Sequence, residues 1–178
     1  MNKHYINTNE LDSKIQQLRA GDKVLLSGTV FTARDAAHKR LISLIESGDS
    51  LPFNLKNSSI YYAGPTPTPQ DLAIGSCGPT TSSRMDPYTP TLLNLGVKCM
   101  IGKGPRSTEV QKAITDNKAI YLCAIGGAGA LASKCITDCE IIAFEDLVCE
   151  SIKKLQFNNF PLIVGMDSFG GTLFETNK

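Results

Sequence analysis

Net charge, histidine, paired metal-ligand motifs and long apolar runs are all scarce in this chain, and each scarcity removes a class of function. The 18 basic and 17 acidic residues leave a formal charge of +1. Nucleic acid and anionic bilayers are held by clustered Lys and Arg, which the chain lacks, so neither is expected as a partner. No apolar run approaches the roughly 18 residues of a membrane span, and residues 1–7 are polar where a secretion signal would be apolar. A cytoplasmic protein is expected. The six cysteines lie in apolar, strand-like stretches, and no CxxC occurs. The closest pair, Cys135 and Cys139, has no second pair, and the two histidines, His4 and His38, are far away in sequence. Free thiols in a reducing compartment, with no metal ligated by this chain alone, are the expectation. Cys77 stands out only because it directly precedes a Gly78-Pro79 turn.

What is present alternates strands with short helices. A chain of 178 residues can bury one core without staples, and no repeat, low-complexity stretch or break in composition divides residues 1–178. A single α/β domain is expected. Residues 11–18 read as a short helix, and residues 23–26 and 28–31 as a strand bent or bulged at Gly28. Thr32-Ala33-Arg34-Asp35 has the form of a capping box: Thr32 would cap a helix over 36–45 that stops at Gly48, and Asp35 would reach back to the free N–H. A strand at 60–63 leads to a Pro-rich turn over 64–69. Further on, a helix over 91–95 finishes at Gly96, and strands at 97–101 and 119–125 flank an amphipathic helix over 107–116. Residues 139–144, 151–157 and 161–166 read as three final strands.

The densest chemistry lies between residues 78 and 104. Pro79 fixes its own φ and forces a turn, and Thr80-Thr81-Ser82-Ser83 are residues that start helices, with hydroxyls and unpaired N–H groups directed outward. A helix start favours a bound carboxylate or phosphate. Arg84, one turn on, can grip a carboxylate with two parallel hydrogen bonds, which a lysine cannot do. An ordinary Ser/Thr-capped helix with a solvated arginine is the plain alternative.

Three other features invite functional readings. Gly127-x-Gly129-x-x-Ala132 follows a strand and precedes Glu145 and Asp146, as in a dinucleotide-binding turn, but the unit is shorter than the roughly 30 residues such a βαβ element takes. Small residues that let a helix pack close are the simpler explanation. Gly102-Lys103-Gly104-Pro105 lacks the phosphate-loop spacing, and Pro105 stands where a magnesium-binding hydroxyl would be, so Lys103 reads as a single cation carried to a cleft or as an exposed turn lysine. His38, one turn beyond Arg34, is either an acid or base in a cleft or a packing residue behind it.

Taken in order, Thr32-Ala33-Arg34-Asp35-Ala36-Ala37-His38-Lys39-Arg40, Gly78-Pro79-Thr80-Thr81-Ser82-Ser83-Arg84-Met85-Asp86-x-Tyr88-Thr89-Pro90, Ile101-Gly102-Lys103-Gly104 and Gly126-Gly127-Ala128-Gly129-Ala130-Leu131 resemble the β subunit of class I fumarate hydratases and L(+)-tartrate dehydratases. The resemblance covers nearly the whole chain. It implies a swivelling β/β/α domain like the mobile domain of aconitases, and a hydro-lyase that reversibly hydrates fumarate to L-malate. L(+)-tartrate dehydratase or a mesaconase-like hydratase is the alternative substrate reading. It also implies a [4Fe-4S] cluster carried by an α subunit as Lewis acid for the hydroxyl, an α2β2 assembly, and no cluster ligand among the six cysteines here. Carried onto this sequence, it places Thr80 and Thr81 at the reacting carbons, with Thr80 as the proton-transfer group. Arg34, Arg84 and Lys103 would hold the two carboxylates, and Asp35, His38 and Asp86 would support them. The three cations are expected to face one another without a counter-charge until an anion enters, and the chain alone should be inactive.

Overall fold

Strand formation starts earlier than the apolar pattern suggests. In the computed structural model, which describes residues 1–124 and 129–174, β1 (Lys3–Asn7) pairs in parallel with β2 (Lys23–Thr32), with the short helix α1 (Leu11–Lys14) between them. Ile6 is the one buried residue of β1, so backbone pairing and not an apolar face makes this edge strand. Then follow α2 (Asp35–Ser47), β3 (Ser59–Tyr61), α3 (Thr89–Asn94), β4 (Cys99–Gly102), α4 (Thr108–Asp116), β5 (Ile120–Ala124), α5 (Gly129–Lys134), β6 (Ile136–Ala143) and β7 (Ile152–Met166).

Strands β1 to β5 lie side by side in sequence order, all parallel. Strand β7 closes them: it runs antiparallel to β5 through its C-terminal part, to β2 along most of its length, and to β6 through its N-terminal part. The ring β2-β3-β4-β5-β7-β2 is therefore a closed, barrel-like mixed sheet, which leaves only short edges unpaired. Alternate residues serve opposite faces. Leu26, Tyr61, Ile101 and Leu122 belong to one apolar cluster. Ile60, Met100 and Tyr121 belong to the other, packed with Leu41 of α2, Leu92 of α3 and Ile114 of α4. Among the described residues no helix is long and apolar enough to cross a membrane.

Two local expectations meet different fates. The bulge at Gly28 is present: between the pairs Leu26↔Phe160 and Gly28↔Phe157, one residue of β2 faces two of β7. Asn159 takes φ 50° and Gly28 φ 107°, and a Cβ at Gly28 would lie 2.3 Å from Thr8 Oγ1, so only glycine fits. The bulge also lets residues 151–157 and 161–166 continue as one strand instead of two. The capping box, by contrast, does not form. Thr32 is the last residue of β2, where its Oγ1 donates to Ser151 O at 3.3 Å and accepts from Lys153 N at 3.0 Å. Arg34 is the N-cap residue of α2 and makes no side-chain cap bond. Glu150 takes the role instead, its Oε2 accepting from Ala36 N at 3.2 Å. Pairing with a strand more than a hundred residues away outcompetes the local cap for the threonine hydroxyl.

Candidate functional site

Parallel register brings the ends of three strands to one edge. Thr32 pairs with Tyr61 and Tyr61 with Ile101, so Arg34 and Asp35, residues 62–63 and Lys103 all leave the sheet together at its C-terminal side, where ligand sites of parallel sheets form. The Gly78-Pro79 loop is laid across this edge. Pro79 bridges Ala63, and Thr80 N donates to Tyr62 O at 2.7 Å. Thr81 bridges Lys103, Ser82 N donates to Lys103 O at 3.0 Å, and Lys103 N donates to Ser82 Oγ at 2.9 Å. Gly102 makes room for this contact, since a Cβ there would sit 1.9 Å from Ser82 Oγ and 2.9 Å from Tyr62 Cδ2. Tyr121 OH, 2.9 Å from Ser82 Oγ, donates to Gly104 O at 2.9 Å.

These bonds do the work expected of a helix. Ser82–Met85 is a single 3-10 turn, and Thr81 at its N-cap makes no side-chain cap bond. One short turn has little aligned dipole, so sheet-edge backbone bonds, not a helix N-terminus, present Thr80 and Arg84. Thr80 is partly buried and Thr81 exposed.

The cations meet acids before they meet any ligand. Arg84 Nε donates to Asp35 Oδ1 at 2.9 Å, and Arg34 Nε lies 3.9 Å from Asp35 Oδ2. Arg34 Nη2 also lies 3.3 Å from Glu150 Oε1. The expectation of three unneutralised cations is thus incorrect: Asp35 and Glu150 answer Arg34 and Arg84. Carboxylates at these distances relieve a mutual repulsion that would otherwise destabilise the edge. Arg84 stays half-exposed, and with Nε committed to Asp35, a bidentate grip falls to its two Nη groups. Lys103 joins the group through the backbone of Thr81 and Ser82, its side chain exposed.

His38 is not in a cleft. It is fully buried, its Nδ1–H donates to Arg34 O at 2.9 Å, and its ring packs against Tyr62 and Tyr88. Burial pushes the imidazole down to about 4, with Arg106 adding to the effect. A neutral imidazole behind the N-cap carbonyl supports Arg34 and does no acid–base work at the surface. Asp86 is likewise a supporting residue. Its Oδ1 accepts from Arg106 Nε at 2.6 Å and its Oδ2 from Ser107 N at 2.7 Å, at the start of α4.

Arg106, Glu150 and Lys153 were not legible as site residues. The Arg106 side chain is wholly buried; its Nη2 donates to Thr89 Oγ1 at 2.8 Å, and its guanidinium lies over Tyr62 and Tyr121. It ties residues 86–89 of the loop to the sheet. The one sequence signal is an arginine set between a turn proline and the Ser107 cap. Glu150 lies in the turn before β7 and Lys153 at the start of β7, and both become relevant only because β7 returns beside β2.

The glycine-rich string divides. Gly126, Gly127 and Ala128 lie outside the described residues, whereas Gly129 starts α5, where a Cβ would lie 2.3 Å from Ser76 Oγ, and its carbonyl accepts from Cys77 N at 3.2 Å. Close packing against the Gly78 loop accounts for Gly129. The paired parallel strands of a dinucleotide unit do not form, because β5 and β6 pair with different parts of β7. Asp146, one of the two acids suited to a ribose, binds Arg40 of α2 through both Nη groups.

With this geometry in hand, similarity to known proteins is informative. The family model described as Fumarase C-terminus matches residues 1–177. Fumarate hydratase class I, anaerobic, of Escherichia coli is 38% identical over 168 residues, which are 93% of this chain and 31% of that protein. Fumarate hydratase 2 of Leishmania major is 36% identical over 91% of this chain and 29% of its own length. A Methanocaldococcus jannaschii protein with the provisional name L(+)-tartrate dehydratase subunit beta is 37% identical over 94% of this chain and 89% of its own. The chain thus spans about a third of the two fumarate hydratases but nearly all of the subunit-type relative. With a family model matched over residues 1–177, and Arg34, Thr80, Arg84 and Lys103 gathered at one sheet edge, the chain belongs to the Fumarase C-terminus family.

Proposed function

We propose that this chain is the β subunit of an iron–sulfur hydro-lyase that reversibly hydrates fumarate to L-malate, at a site shared with an α subunit. The observation that carries the reading is the placement of Arg34, Arg84 and Lys103 around one sheet edge, with Thr80 on the loop between them. A dicarboxylate needs a cation at each end, and Arg84's Nη pair with Lys103 or Arg34 offers two such clamps. Thr80, its backbone pinned to Tyr62, is the residue proposed to move the proton. An unassisted hydroxyl is a weak base, so Arg84 or a carboxylate of the partner has to activate it. Thr81, next to it in the chain, is the second residue proposed to stand at the reacting carbons.

The [4Fe-4S] cluster, which supplies Lewis acidity toward the hydroxyl, does not fit this chain's own thiols. Cluster iron takes thiolates. Cys77 and Cys99 are buried in the apolar core, and of the six thiols only Cys149 is exposed. Among the described residues no three His, Cys, Asp or Glu are gathered to hold a metal ion. As the resemblance implies, we assign the cluster to the α subunit. Residues 1–178 are taken as one domain of swivelling β/β/α type, working in an α2β2 assembly in the cytoplasm. L(+)-tartrate is the second substrate reading, favoured by the subunit-type relative that this chain nearly spans.

The test is to co-purify the chain with its α partner, reconstitute anaerobically, and assay fumarate, tartrate and mesaconate. Hydration of fumarate by the pair, with none by the chain alone, is the expected result. Turnover of tartrate only would replace the substrate, and turnover of none would overturn the reading.

A further inference from the structure

We infer that Glu150 is a positioning residue that aims Arg34 at one substrate carboxylate, an inference that rests on the dicarboxylate reading above. Glu150 uses both oxygens on the start of one helix. Its Oε1 lies 3.3 Å from Arg34 Nη2 and its Oε2 accepts from Ala36 N at 3.2 Å. The guanidinium is thereby tied, through one rigid carboxylate, to the backbone of the helix that carries it. Its Nε is buried on the Asp35 side, so a ligand has to be met through the N–H groups of its Nη atoms.

The turn that delivers Glu150 is itself held in place. Lys153, nine-tenths buried, donates from Nζ to Val148 O and Cys149 O at 3.2 Å each and to Ser151 Oγ at 2.6 Å. Thr32, at the end of β2, bonds both Ser151 O and Lys153 N. Val148 sits in this turn at φ 53°, ψ −108°, a conformation costly for a β-branched residue and sustained by the surrounding bonds. Gly64 lies against both Arg34 and this turn: a Cβ there would lie 3.0 Å from Arg34 Cδ and 3.1 Å from Cys149 O. Arg34 thus packs against both Gly64 and the Glu150 turn, and an arginine ordered in advance loses less side-chain entropy when a carboxylate arrives.

The experiment is a double-mutant cycle on the reconstituted pair, reading KM and kcat separately. Glu150→Ala should raise KM for the dicarboxylate about tenfold while kcat changes less than about threefold, the mark of lost ground-state binding. Glu150→Gln, which keeps the length of the side chain but only one of its two acceptors and none of its charge, should give a KM between those of wild type and Glu150→Ala. In an Arg34→Ala background the Glu150→Ala effect should shrink to less than about twofold, because the two residues act as one unit. Equal effects in both backgrounds, or an effect on kcat alone, would overturn the inference while leaving the proposed function standing. Absence of turnover by the wild-type pair on every dicarboxylate would instead remove the function and this inference together.

Discussion

Asp35 Oδ1 accepts a hydrogen bond from Arg84 Nε at 2.9 Å across two segments separated by 49 positions in the chain. Asp35 opens α2 after the end of β2, and Arg84 lies in the turn that crosses β3 and β4. Their pairing joins the two arginines of the candidate site through one carboxylate and orients Arg84 so that its Nη edge faces outward.

That orientation makes Arg84→Lys informative. Lysine keeps the charge but loses both the Nε bond to Asp35 and the two-pronged grip. A charge-assisted bond contributes about 1.5–3 kcal/mol, so kcat/KM of the reconstituted pair should fall roughly tenfold to a hundredfold. Steady-state kinetics indistinguishable from wild type would remove Arg84 from the site.

Thr80→Val separates binding from chemistry. The branched shape and the backbone bond to Tyr62 are retained and the hydroxyl is lost, so kcat should drop by at least about a hundredfold with KM changing far less, as for a group acting in the transition state. A change confined to KM would make Thr80 a binding residue only.

Gly102→Ala tests how the loop is seated. The added methyl would need the space of Ser82 Oγ, 1.9 Å from the ideal Cβ position, and Ser82 holds Lys103 and Thr81 in register. Overpacking of this kind costs about 1–3 kcal/mol. Denaturant unfolding should show that loss, and turnover should fall further than stability alone explains, because Thr80 and Arg84 move with Ser82.

Asp86→Ala leaves the wholly buried Arg106 without its acid. Removing one partner of a buried pair costs about 3–5 kcal/mol, which for a chain of this size corresponds to a melting temperature lower by roughly 10 °C. A scanning calorimetry shift of only a degree or two would mean that Thr89, Tyr62 and Tyr121 satisfy Arg106 by themselves.

The pH dependence of stability should carry the mark of His38. Its pKa falls from 6.5 to about 4 in the folded chain, so below pH 6.5 the unfolded chain binds a proton that the folded chain refuses. Stability from this group is therefore complete above about pH 6.5 and is lost as pH falls toward 4, by up to roughly 3 kcal/mol. His38→Asn keeps a donor for the Arg34 carbonyl and cannot titrate; urea unfolding at pH 7.5 and pH 5 should show a smaller difference for it than for wild type.

The sequence by itself determined the residues that local chemistry labels. Alternating strands and helices declared the α/β class, Gly28 the bulge, and Ser107 the start of α4, because these depend on side-chain period, backbone freedom and capping within a few positions. Ordered motifs named Arg34, Thr80, Arg84 and Lys103 as candidates. Only the tertiary structure decided what stands opposite them. Thr32 looks like a cap from its neighbours, yet β7 claims its hydroxyl for the sheet. His38 reads equally as a base in a cleft or as a packing residue, and only its burial between Tyr62 and Tyr88 selects the second. Nothing near Glu150 in sequence marks it, and the Pro105 and Ser107 that flank Arg106 do not name its partner, since an ion pair is a matter of through-space distance; the closing of the sheet by β7 sets that distance for Glu150 just as the loop across β4 sets it for Arg106.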